Sequence, residues 1–401
     1  MNVFQKLSDI AELSQNFETY FLKESETSVL AEMYLSRYYS VWCEKSENSV
    51  LEKMENHWSL FSNKNWCGEN LLKQSEAFMT ELKASIDRES FLEKSYCCVV
   101  TRASNLRILP THHPLFETEL DYPFDMIQES MVPYSIPIKI YGKTKSGRFL
   151  FAKTSSENYA WIEACDVAKI EEKDIEWLTS HQNYRVVTQD SLPLYYNFNY
   201  CAELFVGSIV AISHNNAVVP LKNEITGMAH YVEAEIDLEK TDDFPMKYCK
   251  KNCVKILNKL IRQPYDWGGK YQGRDCSSTM KDYFACLGYF INRNSKDQVK
   301  NGNFFSLEGL NKSEKVEFIV QNGIPFRTIL HRPGHVMLYL GMKNKRVIIF
   351  HQFWRTIVST GEESLNYHEH ASHITYLDSG IKHLGDISPL FEMTCNMMVI
   401  V

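Results

Sequence analysis

A cysteine stands at the start of a segment with helical periodicity, and two histidines follow it, each on a segment that reads as a β-strand. After Gly273 and Asp275 the apolar residues Met280, Tyr283, Phe284 and Leu287 recur at helical spacing until Gly288 ends the pattern. Cys276 therefore falls in the first turn, where unpaired backbone N–H groups and the positive end of the helix dipole favour a thiolate. Further on, Val336, Leu338 and Leu340 alternate with Met337, Tyr339 and Gly341, and a second apolar run covers 346–350. This spacing predicts two antiparallel strands joined at 342–345. His335 opens the first, and His351 would stand at the end of the second, near enough to orient the His335 ring. His335 follows Cys276 by 59 residues and His351 follows His335 by 16, so no local turn can join the three. A thiol and two imidazoles that meet only through a fold suggest nucleophilic catalysis on an α+β scaffold.

These residue types also have plainer roles. The chain has 11 cysteines, and a free cysteine is usually a small core residue. Cys276 differs from the rest because it lies between Asp275 and Ser277 at a helix start. Of the 13 histidines, His112, His113, His368, His370 and His373 read as surface or capping residues. The last three invite a metal reading, yet no matched cysteine or carboxylate framework accompanies them. Neither a metal nor a cofactor is expected.

Composition narrows the class. A chain of 401 residues with 44% hydrophobic and 13% aromatic content can fill several cores, and the length allows two to four domains. The net charge of −7 and the lack of a basic stripe argue against nucleic acid as a partner. Residues 1–21 hold no unbroken apolar stretch, since Lys6, Asp9, Glu12 and Glu18 interrupt it, so neither a signal peptide nor a membrane span is expected there. The longest apolar run elsewhere, 204–212, reads as a strand. An odd number of cysteines, two of them adjacent at Cys97 and Cys98, fits reduced thiols. The chain as written reads as cytoplasmic, or as periplasmic or secreted if a leader has been removed.

The texture changes along the chain. Residues 1–95 read as helical, with Leu30, Met33, Tyr34, Arg37 and Tyr38 marking one amphipathic stretch and 81–85 another. From Cys97 to Ile170 the pattern is β, with Val99, Leu106, Ile138, Ile140, Phe149 and Phe151 in alternating runs. Charged residues at 171–174 read as a linker or a solvated helix start. A second acidic break at 237–243 precedes a helix expected over 246–261.

Tyr265-Asp266-Trp267-Gly268-Gly269, then Asp275-Cys276-Ser277, Arg293-Asn294-Ser295 with Gln298, Gly334-His335 and finally His351 with Trp354 together resemble the NlpC/p-sixty cysteine peptidases, papain-like hydrolases of the cell wall. The family pattern places a glycine after Cys-Ser, where this chain has Ser278. The stretch with Leu106-Arg107, Leu109-Pro110-Thr111, Tyr122-Pro123-Phe124-Asp125, Gln128 and Trp161 resembles the first bacterial SH3 domain of a multidomain subgroup. Residues 184–236, with Gly207-Ser208-Ile209-Val210 as a core strand, resemble its second SH3 domain. The Asn65-Trp66-Cys67-Gly68-Glu69-Asn70 region resembles its helical N-terminal segment.

The resemblance implies an α+β multidomain chain: a helical segment at 1–95, SH3-like barrels at 96–172 and 173–240, and a papain-like catalytic domain at 241–401. It implies Cys276, His335 and His351 as the catalytic residues of a γ-D-glutamyl-diamino acid endopeptidase. Its substrates would be peptidoglycan stem peptides with a free L-Ala amine, in wall turnover or recycling. By that likeness Asp275 would bind the amine, Tyr265 would shape the same pocket, and Ser277 and Ser295 would contact the D-Glu portion. Helix capping is the plainer role for Asp275. Trp161, Asp125 and Gln128 are candidates for the rim of the cleft, with core or turn roles as the alternative. The expected partners are peptidoglycan-derived peptides, without nucleic acid or membrane span, and the chain is expected to be a monomer. Other readings are an SH3-mediated wall-binding protein with weak or no catalysis, or a papain-like amidase, acyltransferase or antibacterial toxin.

Overall fold

The computed structural model describes residues 24–400 apart from 46, 48, 62–63, 355, 361–362, 368–369, 379, 384–385 and 390–393, so the expectation for 1–21 lies outside the described residues. Helices and several antiparallel sheets form two compact units. One unit comprises Glu32–Phe244 and Trp267–Gln272; the other comprises Pro245–Asp266, Gly273–Val401 and the N-terminal residues through Ala31. Among the described residues, no helix is long and apolar enough to cross a membrane.

The larger unit begins with helices, as the sequence suggested. The helix Glu24–Tyr38 buries Tyr34 and Tyr38, four residues apart on one face. Met33 and Arg37, expected on the same stripe, sit one position round the helix and are exposed. A sheet follows in the order Gln128–Val132, Ser104–Arg107, Tyr159–Glu163, Phe149–Thr154, Pro137–Thr144, Tyr96–Val100, Val167–Lys169. Every residue of Phe149–Thr154 is buried because both faces of this strand are covered. Phe151 packs with Trp161 and with Val50, Met54 and Trp58 of a helix, while Leu150 and Ala152 pack with Val100, Ile138 and Ile140. A second sheet, with Tyr184–Val187, Ile209–Ser213, Asn216–Lys222, Ala229–Ala234 and Thr241–Asp243, shares a core with the hairpin Leu192–Tyr196 and Asn199–Leu204. The apolar run 204–212, expected as one strand, is split by a turn in which Ser208 N–H donates to Phe205 O at 2.9 Å. Gly207 takes φ +86 there, so the core strand begins at Ile209.

The same unit explains two consecutive glycines. Gly268 and Gly269 take φ +61 and +67, and a Cβ on Gly268 would lie 2.5 Å from the Gln128 side chain. Around them runs a buried polar network. Arg107 donates to Asp125 Oδ2 and to Gln128 Oε1, each at 2.7 Å, and Lys270 Nζ donates to the same Asp125 oxygen at 3.0 Å. Gln128 Nε2 donates to Gly268 O at 3.2 Å, and Trp267 Nε1 donates to Asp125 O at 2.9 Å. Trp161, Asp125 and Gln128 are therefore interior residues, Trp161 in the apolar core and the other two in this network.

In the smaller unit a six-stranded antiparallel sheet has the order Asn303–Ser306, Asn396–Val399, Thr328–Arg332, His335–Lys343, Arg346–Phe353, Ala371–Tyr376. The helices Lys250–Leu260, Cys276–Cys286 and Lys312–Asn322 belong to the same unit. The predicted hairpin is present, with its second strand three residues longer than expected. The helix expected from 246 starts at Lys250, because the Met246 N–H is committed to Cys286 O at 2.9 Å and Cys249 is extended.

Replacing Asp125 with Ala should strand the Arg107 guanidinium in the interior. Loss of one partner of a buried ion pair typically costs about 3–5 kcal/mol. A urea titration of Asp125→Ala against wild type should show a matching fall in unfolding free energy.

Candidate active site

The helix Cys276–Cys286 starts where Asp275 caps it. Asp275 Oδ1 accepts from the Ser278 N–H at 2.8 Å, and Ser278 Oγ lies 2.8 Å from the Asp275 N–H that donates to it. Ser278, which replaces the family's glycine, thus completes a reciprocal capping box. Asp275 also pairs with Arg293: Nη2 donates to Oδ2 at 2.7 Å and Nη1 to Oδ1 at 3.1 Å. Ser277 Oγ donates to Asp275 Oδ1 at 3.1 Å and accepts from Arg293 Nη1 at 2.8 Å. Arg293 holds the Asp275 carboxyl below its usual range against the opposing effect of burial.

The two histidines meet on adjacent strands. His335 Nε2 and His351 Nδ1 are 3.0 Å apart, with the rings inclined at 69°. His351 lies inside Arg346–Phe353, two residues before its end, and its ring stacks on Phe353 at 4.7 Å. Cys276 retains 6% exposure, and the backbone N–H groups of Val336 and Ser277 hydrogen-bond to its sulfur. The residue after His335 therefore touches the thiol directly, and His335 Nδ1 is the ring nitrogen left over by the bond to His351.

Electrostatics differ from what a helix start alone suggests. Burial pushes the Cys276 thiol up to about 12, the Asp275 charge adds to the rise, and the N–H bonds with Arg293 offset only part of it. Burial also pushes the His335 imidazole down to about 3, helped by Arg332 and His331. His351 is held well below its ordinary range by burial and by His335 and His373. In this closed environment desolvation outweighs the dipole, so thiol and imidazoles are all uncharged at neutral pH.

The other sequence candidates divide. Tyr265 is half-buried, its hydroxyl kept protonated by burial and by the nearby Cys276 and Asp275, and its ring meets Trp354 at 6.0 Å. Ser277 is in the cluster described above. Ser295 opens the short helix Ser295–Gln298 and is half-buried. His370 packs on Trp354 with centroids 3.8 Å apart, His373 faces His351 across the sheet, and His368 lies outside the described residues.

Three residues that build the site had been given no role from the sequence, although Arg293 and Gln298 stood among those that carry the family resemblance. Arg293 sits in an apolar stretch, Tyr289, Phe290 and Ile291 preceding it, and a cation embedded there was the available signal. Gln298 is fully buried and its Nε2 donates to Ser277 O at 2.7 Å. Gln352, next to His351, is also fully buried: it is bonded to Thr279 Oγ1 on the Cys276 helix, and its Nε2 donates to Pro264 O at 2.7 Å and Gln263 O at 3.3 Å. One amide thus ties the His351 strand, the Cys276 helix and the chain leading into Tyr265. Gln352→Leu should leave these groups unsatisfied and lower stability by about 1–3 kcal/mol, read as a lower midpoint in thermal melting.

Three family models match the chain: the NlpC/P60 family over residues 262–371, the SH3 domain (SH3b1 type) over 114–163, and the NLPC_P60 stabilising domain, N term, over 4–91. No curated protein sequence matches. Among solved structures, an NlpC/P60 endopeptidase from Photobacterium damselae subsp. piscicida aligns with a TM-score of 0.82 at 20% identity, covering 95% of this chain and 94% of its own. A likeness at that identity speaks to the fold. An NlpC/P60 family protein from Bacillus cereus ATCC 10987 aligns with a TM-score of 0.49 at 13% identity, covering 76% of this chain and 99% of its own.

Proposed function

We propose that this chain, which belongs to the NlpC/P60 family of cysteine peptidases, cleaves the γ-D-Glu to diamino acid bond of peptidoglycan stem peptides whose L-Ala amine is free. The observation that carries the reading is the His335 to His351 bond at 3.0 Å, formed where the residue after His335 contacts the Cys276 thiol. The four-part division at 95, 172 and 240, with a second SH3-like barrel in 184–236, is proposed on the same grounds as the substrate.

Chemistry follows from the neutral resting pair. As Cys276 Sγ attacks the γ-carbonyl carbon, its proton passes to His335 Nδ1, so attack and transfer occur together and no resting ion pair is required. Backbone N–H groups at the helix start, including that of Cys276, receive the oxyanion. His335 then gives the proton to the leaving amine as the C–N bond breaks, leaving a thioester. Water, deprotonated by His335, attacks that thioester, and the thiol leaves with the proton. His351 holds the His335 ring throughout.

For recognition, Asp275 supplies an anion for the L-Ala ammonium, beside Tyr265. Oδ2 accepts only the Arg293 bond among the contacts above and has capacity for another donor. Ser277 and Ser295 serve the D-Glu portion, and Arg293 adds a guanidinium suited to its α-carboxylate. Intact stems carry their L-Ala amine in an amide with the sugar lactyl group, so the preferred substrates are released fragments.

Incubation with L-Ala-γ-D-Glu-diaminopimelate should release L-Ala-γ-D-Glu, detected by mass. Cys276→Ala should reduce the rate by about 10⁴-fold or more, and retained cleavage would refute the nucleophile assignment. Asp275→Asn should narrow the preference for free over N-acetylated L-Ala. A variant that only melts earlier, with its preference intact, would leave Asp275 as a helix cap.

A further inference from the structure

The site contains a hydroxyl that the three-residue reading does not use. Thr375, on the strand Ala371–Tyr376, is 1% exposed, and its Oγ1 lies 3.2 Å from His351 Nε2. The sheet register places His351 opposite His373 and Ile349 opposite Thr375, so Thr375 reaches the imidazole diagonally on the same face. The opposite nitrogen of the same ring makes the bond to His335. His351 is thus held at both nitrogens, and Phe353 stacks on its ring at an interplanar angle of 19°. The titratable groups that act on it are His335 from the strand on one side, His373 from the strand on the other, and Arg332 from Thr328–Arg332. These are cationic when charged, so none provides the fixed anion that orients a base in an Asp-containing triad.

Tautomers then decide whether the site can work. His335 can take the thiol proton at Nδ1 only if its hydrogen is on Nε2, which obliges His351 Nδ1 to accept. His351 must then carry its own hydrogen on Nε2, and that hydrogen points at Thr375. The reverse arrangement, with hydrogen on His351 Nδ1, would put the His335 hydrogen on Nδ1 and block the base.

We propose that Thr375 is a positioning residue that supplies the acceptor for His351 in its working Nε2–H tautomer, extending the line from Cys276 through His335 and His351 to a fourth member. Its acceptor oxygen sits on sheet backbone, so its place is set without a flexible side chain. The proposal rests on the peptidase reading for its catalytic consequence, but the tautomer itself is also read out by the thiol.

The test compares Thr375→Val, nearly isosteric but without an acceptor, with Thr375→Ser, which keeps one. Two rates are measured across pH 5 to 9, used here as roughly the range over which imidazole changes charge. One is peptide cleavage; the other is alkylation of Cys276 by iodoacetamide, followed on its own peptide by mass so that the other cysteines do not contribute. Thr375→Val should lose about 10- to 100-fold in kcat, by analogy with the loss of groups that orient a ligating histidine. KM should be unchanged, and Cys276 alkylation near neutral pH should slow by a similar factor, with Thr375→Ser close to wild type in both. Val matching wild type in alkylation, or Ser as impaired as Val while equally folded by circular dichroism, would overturn the proposal. If no stem peptide is cleaved by wild type but alkylation separates Val from Ser as expected, the peptidase reading fails and the tautomer assignment stands.

Discussion

The Asp275 carboxylate is the contact on which the site's geometry depends. It caps the Cys276 helix, accepts the Ser277 hydroxyl and binds the Arg293 guanidinium through both oxygens. An N-cap alone is worth about 1 kcal/mol. The added charge-assisted bonds do more than raise that sum, because they fix where the helix begins. Cys276 is the next residue, so a slip of one position would turn its sulfur by about 100° around the helix axis and away from Val336. Gln298 steadies the same turn from behind through the Ser277 carbonyl. Ser278 in place of glycine is compatible with all of this because its hydroxyl joins the cap.

Burial then sets the character of the chemistry. A helix start is often invoked to explain a stable thiolate, yet the dipole contributes at most about 2 kcal/mol in favourable settings. Desolvation of the buried thiol acts in the opposite direction and prevails here, and burial likewise keeps both imidazoles neutral. A neutral line of hydrogen bonds is the consequence. In such a line the information lies in which nitrogen carries each hydrogen, and a neutral group such as a threonine hydroxyl can supply the acceptor that the working tautomer needs. A carboxylate in the third position would instead favour a charged imidazolium.

Much of this was legible in the chain because it is local. Helical periodicity after Gly273 and strand alternation around His335 placed Cys276 and His335 on the right elements. His351 was expected beside His335 because a hairpin register is short-range. Long-range pairings carried no comparable signal. Thr375 reaches His351 only through strand pairing with Ala371–Tyr376, and one threonine in a β-rich stretch looks like any other. Gln352 and Gln298 are buried amides, a residue type ordinarily exposed, so pattern alone gave no reason to place them in the interior. Boundaries failed where tertiary bonds overrode propensity, as at Met246, whose N–H is taken by Cys286 O.

The polar interior of the larger unit follows the same logic by different means. Arg107 and Asp125 are both almost wholly buried, and an isolated pair there would barely repay its desolvation. What makes the burial tolerable is saturation: Asp125 also accepts from Leu115 N–H at 3.1 Å and Lys270, while Arg107 also donates to Thr111 O at 3.0 Å. The network demands a defined path for Trp267–Gln272, since Trp267 and Lys270 donate into it and Gly268 passes within contact of Gln128. That short segment is specified by directional bonds, which apolar packing would not supply.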